Sequence, residues 1–263
     1  MLASPPNAAE VRDADVVSRA RALIPMIAEA APLIERERQL APEVLAALRK
    51  ANLFRVLVPH SLGGEEADPV TYFETIEAIA MGDASTAWCV SQASGASMGA
   101  AYLAPEAARA VWGDPGAAMA SGPGLAGKAH VVDGGYRVTG TWGFASGSRH
   151  APWFGGHCLV YERDGSQRTA DGKPYDRTML FPRASVTTTD TWDVIGLRGT
   201  GSDTYAIRDL FVPDAYSYTR DSATDRREKG PLYRFSGFNM FGTGFSAVAL
   251  GIARATLDAF VDL

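Results

Sequence analysis

The chain has 263 residues, 46% of them hydrophobic, and a net charge of −5, so it can bury one large core or two smaller ones and is neither disordered nor fibrous. Acidic and basic residues are interspersed, without the basic stripe that phosphate backbones require, which argues against nucleic acid as a partner. The start, Met1-Leu2-Ala3-Ser4-Pro5-Pro6, lacks a basic segment followed by an apolar one, and no run of about eighteen apolar residues is evident; a soluble, cytoplasmic protein without a membrane partner is expected.

From Val16 to Ile34, apolar residues recur at three and four (Val17, Ala20, Leu23, Ile24, Ile27), which predicts an amphipathic helix that Pro25 should kink or restart. A second helix is expected from Pro42, with Val44, Leu45 and Leu48 inward. Asp68-Pro69 reads as cap and first turn of a third, with Val70, Phe73, Ile76 and Ile79 inward. Asp83 opens a fourth, running through Trp88 toward Tyr102. Trp88, Gln92, Gly95 and Gly99 recur on it at helical spacing and form a candidate substrate-pocket stripe, since glycines leave room for a ligand or for another helix.

Near Trp112-Gly113-Asp114-Pro115-Gly116 the period changes from about 3.6 to 2, the mark of helices giving way to strands. In Tyr136 to Phe144 the even positions are Tyr, Val, Gly, Trp and Phe, while Arg137, Thr139 and Thr141 face the other way. That predicts a half-buried antiparallel strand after the turn Asp133-Gly134-Gly135. Continuing its phase puts Trp142, Phe144 and Ser146 on one face. Further strands are expected over 153–161, 177–182, 185–195 and 204–212, with a solvated loop over 162–176. After Pro231 the chain turns helical, with Phe245, Val248, Ile252, Ala255 and Ala259 on one stripe. No capping residue marks Leu263, which suggests a chain cut within a helical bundle.

Two motifs carry little. Gly122-Pro-Gly124-Leu-Ala-Gly127 matches a dinucleotide loop, but a strand and a turn follow it rather than a helix, and Gly242-x-Gly244-x-x-Ala247 lacks a βαβ unit; both read as structural glycines. Cys89 and Cys158 lie far apart, outside any Cys-x-x-Cys pair, and read as packed, reduced thiols. His60, His130, His150 and His157 have no acidic or thiol neighbours at ligand spacing, so no metal is expected, and His150 and His157 read as surface or strand-end residues. The stretch Gly140-Thr-Trp142-Gly-Phe144-Ala-Ser146-Gly147 is more informative. A flat ring cofactor needs an aromatic wall and one or two polar groups aimed at its heteroatoms, and this strand end offers both.

An N-terminal helical segment, Ser121-Gly122-Pro123, the aromatic-Ala-Ser146 strand end, the run Trp192-Asp-Val-Ile-Gly-Leu-Arg-Gly-Thr-Gly-Ser202 and Phe211-Val-Pro213 occur in one order. That order resembles the acyl-CoA dehydrogenase superfamily across nearly the whole chain. The resemblance implies an α+β fold: an α-helical domain over 10–112, a middle antiparallel β-barrel domain over 113–228, and the first helix of a C-terminal bundle over 229–263. It also implies a flavin, FAD or FMN, flanked by Ser121, Gly122, Phe144 and Ser146, with Phe144 as aromatic wall and Ser146 beside flavin N5 through its hydroxyl or backbone N–H.

Dehydrogenases usually carry a Thr-Glu-Pro run at Ser121-Gly122-Pro123 and a Trp-Ile-Thr run at Phe144-Ala145-Ser146. The wording here is closer to the aromatic and steroid-ring hydroxylase branch, the oxygenase components of two-component flavin-dependent monooxygenases. Such enzymes receive reduced flavin from a separate flavin reductase, act on a small ring substrate with O2, and assemble as homotetramers. The residue expected to act as acid or base belongs to the later bundle, so no catalytic residue is named before Leu263. A dehydrogenase acting on an acyl thioester and a non-catalytic flavin-binding fragment are the alternatives.

Overall fold

The structure, a computed structural model, describes residues 15–263. The Met1–Pro6 leader reading and residues 10–14 of the expected helical domain lie outside the described residues. Helix α1, Val16–Glu37, begins at Asp15, whose carboxylate accepts the Ser18 N–H. Pro25 and Pro32 lie inside α1, which runs through both without a restart. Both prolines are on its exposed side, where water can solvate the carbonyls that lose their amide partner. Helices α2 (Pro42–Lys50) and α3 (Pro69–Gly82) each carry a proline in the first turn, and Asp68 caps α3 through the Val70 and Thr71 amides. On α3 the buried face is Tyr72, Thr75, Ile76 and Ile79. Val70 is 66% exposed, contrary to the expected inward position, because the first turn projects beyond the neighbouring helices.

Helix α4, Ala84–Ser97, continues as a 3-10 turn to Tyr102 and is capped by Asp83, which accepts from the Thr86 amide and hydroxyl. It is buried almost all round and rich in Ala, Ser and Gly, which lets neighbours approach on every side. A short helix not foreseen from the pattern, α5, Pro105–Trp112, closes the first layer.

The strands are β1 (Met119–Ser121), β2 (Gly127–Val132), β3 (Gly135–Ala145), β4 (Trp153–Tyr161), β5 (Thr169–Ala170), β6 (Lys173–Pro174), β7 (Asp176–Pro182), β8 (Thr187–Thr189), β9 (Asp203–Pro213) and β10 (Ser217–Tyr218). Except for the β5–β6 hairpin they form one sheet in the order β10-β7-β4-β2-β3-β9-β8, with β1 also paired to β4. Pairing is antiparallel apart from β1 and β2, which lie end to end along β4 and parallel to it. The glycine-rich stretch of residues 122–126 is the link between them, followed by a strand and not a helix. Of the strand expected over 185–195 only β8 forms. Arg38 and Arg149 hold the next segment by Asp190, Arg38 at 2.6 Å and Arg149 at 3.0 Å, while Arg198 reaches Glu35 on α1 at 3.5 Å. The Arg38 guanidinium holds the Asp190 carboxyl below its ordinary pKa.

Helix α6, Gly237–Val261, starts in a capping box between Ser236 and Asn239, which satisfies two otherwise unpaired amides. Its buried stripe is Met240, Gly244, Ala247, Val248 and Gly251. The expected stripe is therefore misplaced by part of a turn: Phe245 and Ile252 are 43% and 41% exposed. Small residues decide this face, because a Cβ on Gly244 would strike Ser91 of α4 and one on Gly251 would strike Ala80 of α3. Polar residues such as Asn239, Ser246 and Arg254 interrupt the apolar run of α6, yet an 18-residue window within this 25-residue helix has a mean hydropathy of 1.4, enough by length and composition to cross a membrane. The packing of α6 against α3 and α4 buries the small-residue stripe, while Phe238, Leu257 and Phe260 stay exposed.

Candidate functional site

The end of β3 departs from simple alternation. Tyr136, Val138 and Trp142 face the core as expected, but the register with β9 shifts between Trp142 and Ala145, and Phe144 takes a φ of 59°. A non-glycine residue in this region is uncommon, and the bend turns its side chain away from the core. Phe144 is consequently 65% exposed, while Trp142 is 1% exposed. The expectation that Trp142, Phe144 and Ser146 share a face is corrected by this bulge. Phe144 meets the edge of Trp192 at 5.8 Å and 77°, leaving a ring open to a flat partner.

Ser146 is 7% exposed. Its backbone N–H donates to the Phe144 carbonyl at 2.9 Å, its Oγ accepts the Trp88 indole N–H at 3.0 Å, and its Oγ lies 2.8 Å from that of Ser202. The backbone N–H expected to reach a cofactor is therefore already engaged, and the hydroxyl belongs to a buried network.

Gly122 lies beside this strand end. Its amide donates to the Tyr205 hydroxyl at 3.1 Å, and that hydroxyl donates to the Gly155 carbonyl at 2.5 Å. A Cβ on Gly122 would collide with the Gly143 carbonyl and Trp142, so only glycine permits the approach. The fold thus brings Gly122 against Trp142 and Gly143, just before Phe144, although 22 positions separate Gly122 from Phe144.

Ser121 also lines a cavity between α4, β1, β4, β7 and α6. Gly95, Gly99, Met119 and Phe241 supply apolar wall, and His157, Thr178, Tyr218 and Arg220 supply polar groups. Of the helical stripe, Gly95 and Gly99 line this cavity, with Phe241 and Tyr218 leaning directly over them. Trp88 instead stacks on Phe245 at 4.8 Å and 13°, and the Gln92 side-chain nitrogen is buried without a hydrogen-bond partner among the described residues. The free volume is about 40 Å³, room for a few waters.

His157, read from the sequence as a surface or strand-end residue, sits on this wall with Nδ1 2.8 Å from the Thr178 hydroxyl. Burial, reinforced by Arg220, lowers its pKa to about 3, so it is neutral at ordinary pH. Burial with Arg49 and Arg183 nearby lowers that of His150 to about 4. Burial also raises the Tyr218 pKa, to about 12. The cavity therefore presents an uncharged imidazole and phenol beside apolar walls, with Arg220 and Asp221 also in its lining. Phe241, Tyr218 and Thr178 had no sequence motif to mark them; for His157 the only signal was its strand phase, opposite the buried Phe154, Cys158 and Val160.

Residues 13–119 match the family model described as acyl-CoA dehydrogenase, N-terminal domain. The chain is 32% identical over 256 residues to the flavin-dependent monooxygenase oxygenase subunit HsaA of Rhodococcus jostii, covering 94% of this chain and 64% of that relative. The HsaA monooxygenase structure from Mycobacterium tuberculosis superposes with a TM-score of 0.85 at 32% identity, over 94% of this chain and 68% of that one. XiaF from Streptomyces, solved with FADH2 and glycerol, gives a TM-score of 0.85 at 31% identity, over 97% of this chain and 64% of that one. The chain belongs to the acyl-CoA dehydrogenase superfamily and is similar to flavin-dependent monooxygenase oxygenase subunits. It spans about 64% of the length of the Rhodococcus relative.

Proposed function

We propose that this chain carries the flavin-flanking and substrate-binding parts of the oxygenase component of a two-component monooxygenase, working in the cytoplasm as a homotetramer. Reduced FAD or FMN would come from a separate reductase, and the substrate would be a small aromatic or similar ring compound. The observation that carries this reading is the position of Ser121, which joins the apolar cavity to the strand end where Phe144 lies open. A flat heterocycle fits the residues there: an exposed aromatic face, a glycine that lets a backbone approach closely, and a buried hydroxyl at the rim.

A reduced flavin held there would supply the electrons for reaction with O2. The chain's own side chains do the rest. Phe144 offers a face for stacking, and Ser121, Gly122 and Ser146 fix the edge of the ring. Phe241, Met119 and the glycine stripe exclude water around the substrate. His157 and Thr178 would orient a polar substituent of the ring through uncharged groups, with Arg220 on the same wall.

With a flavin reductase and a reduced nicotinamide donor, the protein is expected to consume O2 and hydroxylate a phenolic or indolic ring, read by product mass and oxygen uptake. Anaerobic conversion of an acyl-CoA to its enoyl form would overturn the reading in favour of a dehydrogenase. Gly95→Leu should drive Phe241 into the free volume and weaken ring-substrate binding by roughly tenfold or more, about 1.4 kcal/mol. Unchanged substrate affinity and rate would remove Gly95 from the pocket wall.

A further inference from the structure

Three hydroxyls and one indole at the base of the site form a hydrogen-bond chain whose direction is set by a single carbonyl. The Leu197 carbonyl lies 2.9 Å from the Thr200 hydroxyl. That carbonyl also accepts the Trp192 indole N–H at 3.0 Å and the Thr200 amide at 3.2 Å; because it can only accept, its contact with the Thr200 hydroxyl is a hydrogen bond only when the Thr200 proton lies on it. Thr200 Oγ1 is 2.7 Å from Ser202 Oγ, and with the Thr200 proton committed, Ser202 must donate. Ser202 Oγ is 2.8 Å from Ser146 Oγ, so by the same count Ser146 must donate to Ser202. At the other end the Trp88 indole N–H, a donor only, points at Ser146 Oγ at 3.0 Å. This is the one proton arrangement in which every contact is a hydrogen bond.

Thr200, Ser202 and Ser146 are 2%, 3% and 7% exposed, which leaves water little access to reset the direction. The segment carrying Thr200 is itself fixed. The Thr200 carbonyl accepts the Gly147 amide at 2.8 Å, and Gly199 approaches Ile34 and Ser85 so closely that a Cβ there would collide. Ser146 is left with a lone pair to offer and no proton, since its backbone N–H is also engaged.

The consequence rests on the flavin reading given above. N5 of an oxidised isoalloxazine is an acceptor, whereas N5 of the two-electron reduced ring carries a hydrogen and donates. We propose that Thr200 and Ser202 are positioning residues that hold the Ser146 hydroxyl as an acceptor, so that the site favours reduced over oxidised flavin. An acceptor facing an acceptor makes no bond and leaves both poorly solvated; an acceptor facing N–H makes one. The chain of hydroxyls would thereby favour loading with reduced flavin and release of the oxidised form.

The test is anaerobic titration of the protein with FAD and with dithionite-reduced FAD, repeated for Ser202→Ala and Thr200→Val, together with the midpoint potential of the bound flavin. Wild type is expected to bind the reduced form more tightly. Removing Ser202 frees the Ser146 proton to turn toward N5, so the variant should bind oxidised FAD more tightly while its affinity for the reduced form changes little. The reduced-to-oxidised preference should fall by up to about tenfold, which moves the two-electron midpoint about 30 mV more negative. Thr200→Val should act in the same direction through Ser202, and Ser202→Thr should restore the wild-type preference.

A role in packing alone would weaken both forms equally. An unchanged preference in both Ser202→Ala and Thr200→Val therefore overturns the assignment while leaving the flavin site intact. Failure of wild type to bind either form would overturn the flavin reading itself, and this inference with it.

Discussion

Trp142→Ala is expected to cost about 3–5 kcal/mol of stability, at the upper end of that range for a buried tryptophan. The indole is 1% exposed. It stacks on Tyr205 at 5.2 Å and 18° and meets Phe181 at 6.1 Å, and its N–H donates to the His157 carbonyl at 3.2 Å. Three glycines surround it, Gly140 on its own strand, Gly127 on β2 and Gly156 on β4: a Cβ on any of them would collide with the ring. Glycines have no side chains to swing into a vacated space, so the cavity left by truncation cannot collapse. Domains of this size are stable by only about 5–15 kcal/mol, and a loss of this order should appear as a large drop in Tm or in the denaturation midpoint. A cost below about 1.5 kcal/mol would show that the glycine nest repacks. The same variant should weaken flavin binding, because Trp142 also abuts Gly122 and immediately precedes the bulge that exposes Phe144.

How far the fold could be read from sequence follows from which rules are local. Helix starts at Asp15, Asp68, Asp83 and Ser236 are capped by their own side chains, and a Pro42 or Pro69 in a first turn needs nothing beyond the adjacent residues. Strand β4 was legible for the same reason, and β9 within a residue at each end. The segment 190–195 was not, because its alternation resembles a strand while Arg38 and Arg149 from elsewhere in the chain hold Asp190 in a loop. The stripe of α6 was misjudged because large apolar residues suggested the buried face; close helix packing selected Gly244, Ala247 and Gly251 instead. At the site, Phe144 and Ser146 were marked by their neighbours in sequence, but the direction Phe144 points depends on a bulge opposite β9. The partners of Ser146 come from 56 and 58 positions away, a distance over which sequence pattern carries no signal. His157 was set aside for lack of acidic neighbours, whereas its environment is made by Thr178 on the adjacent strand and by α4 across the cavity.

His150 and His157 should also make stability fall steeply in mild acid. Both are held neutral in the folded protein, with pKa values lowered to about 4 and about 3, in each case chiefly by burial. In the unfolded chain each titrates near its ordinary value of about 6.5. The sign follows from proton counting: below about pH 6.5 the unfolded state binds protons that the folded state refuses, so acid favours unfolding. The stability these groups contribute is present above about pH 6.5 and is lost as pH falls toward 4 and then 3. Each histidine contributes a slope of at most about 1.4 kcal/mol per pH unit within that window, so the pair contributes at most about 2.7. Partial solvent contact at either ring reduces the figure. Denaturant midpoints measured from pH 7.5 to 4.5 should fall accordingly. Replacing the two by neutral, hydrogen-bonding residues, His150→Asn with His157→Gln, should flatten the profile even if it lowers stability at pH 7.5. If the double variant keeps the wild-type slope, the acid sensitivity belongs to the carboxylates. Asp190, paired to Arg38 and Arg149, would not account for it, since a carboxyl whose pKa is lowered loses its contribution only below its ordinary value of 3.8, outside that range.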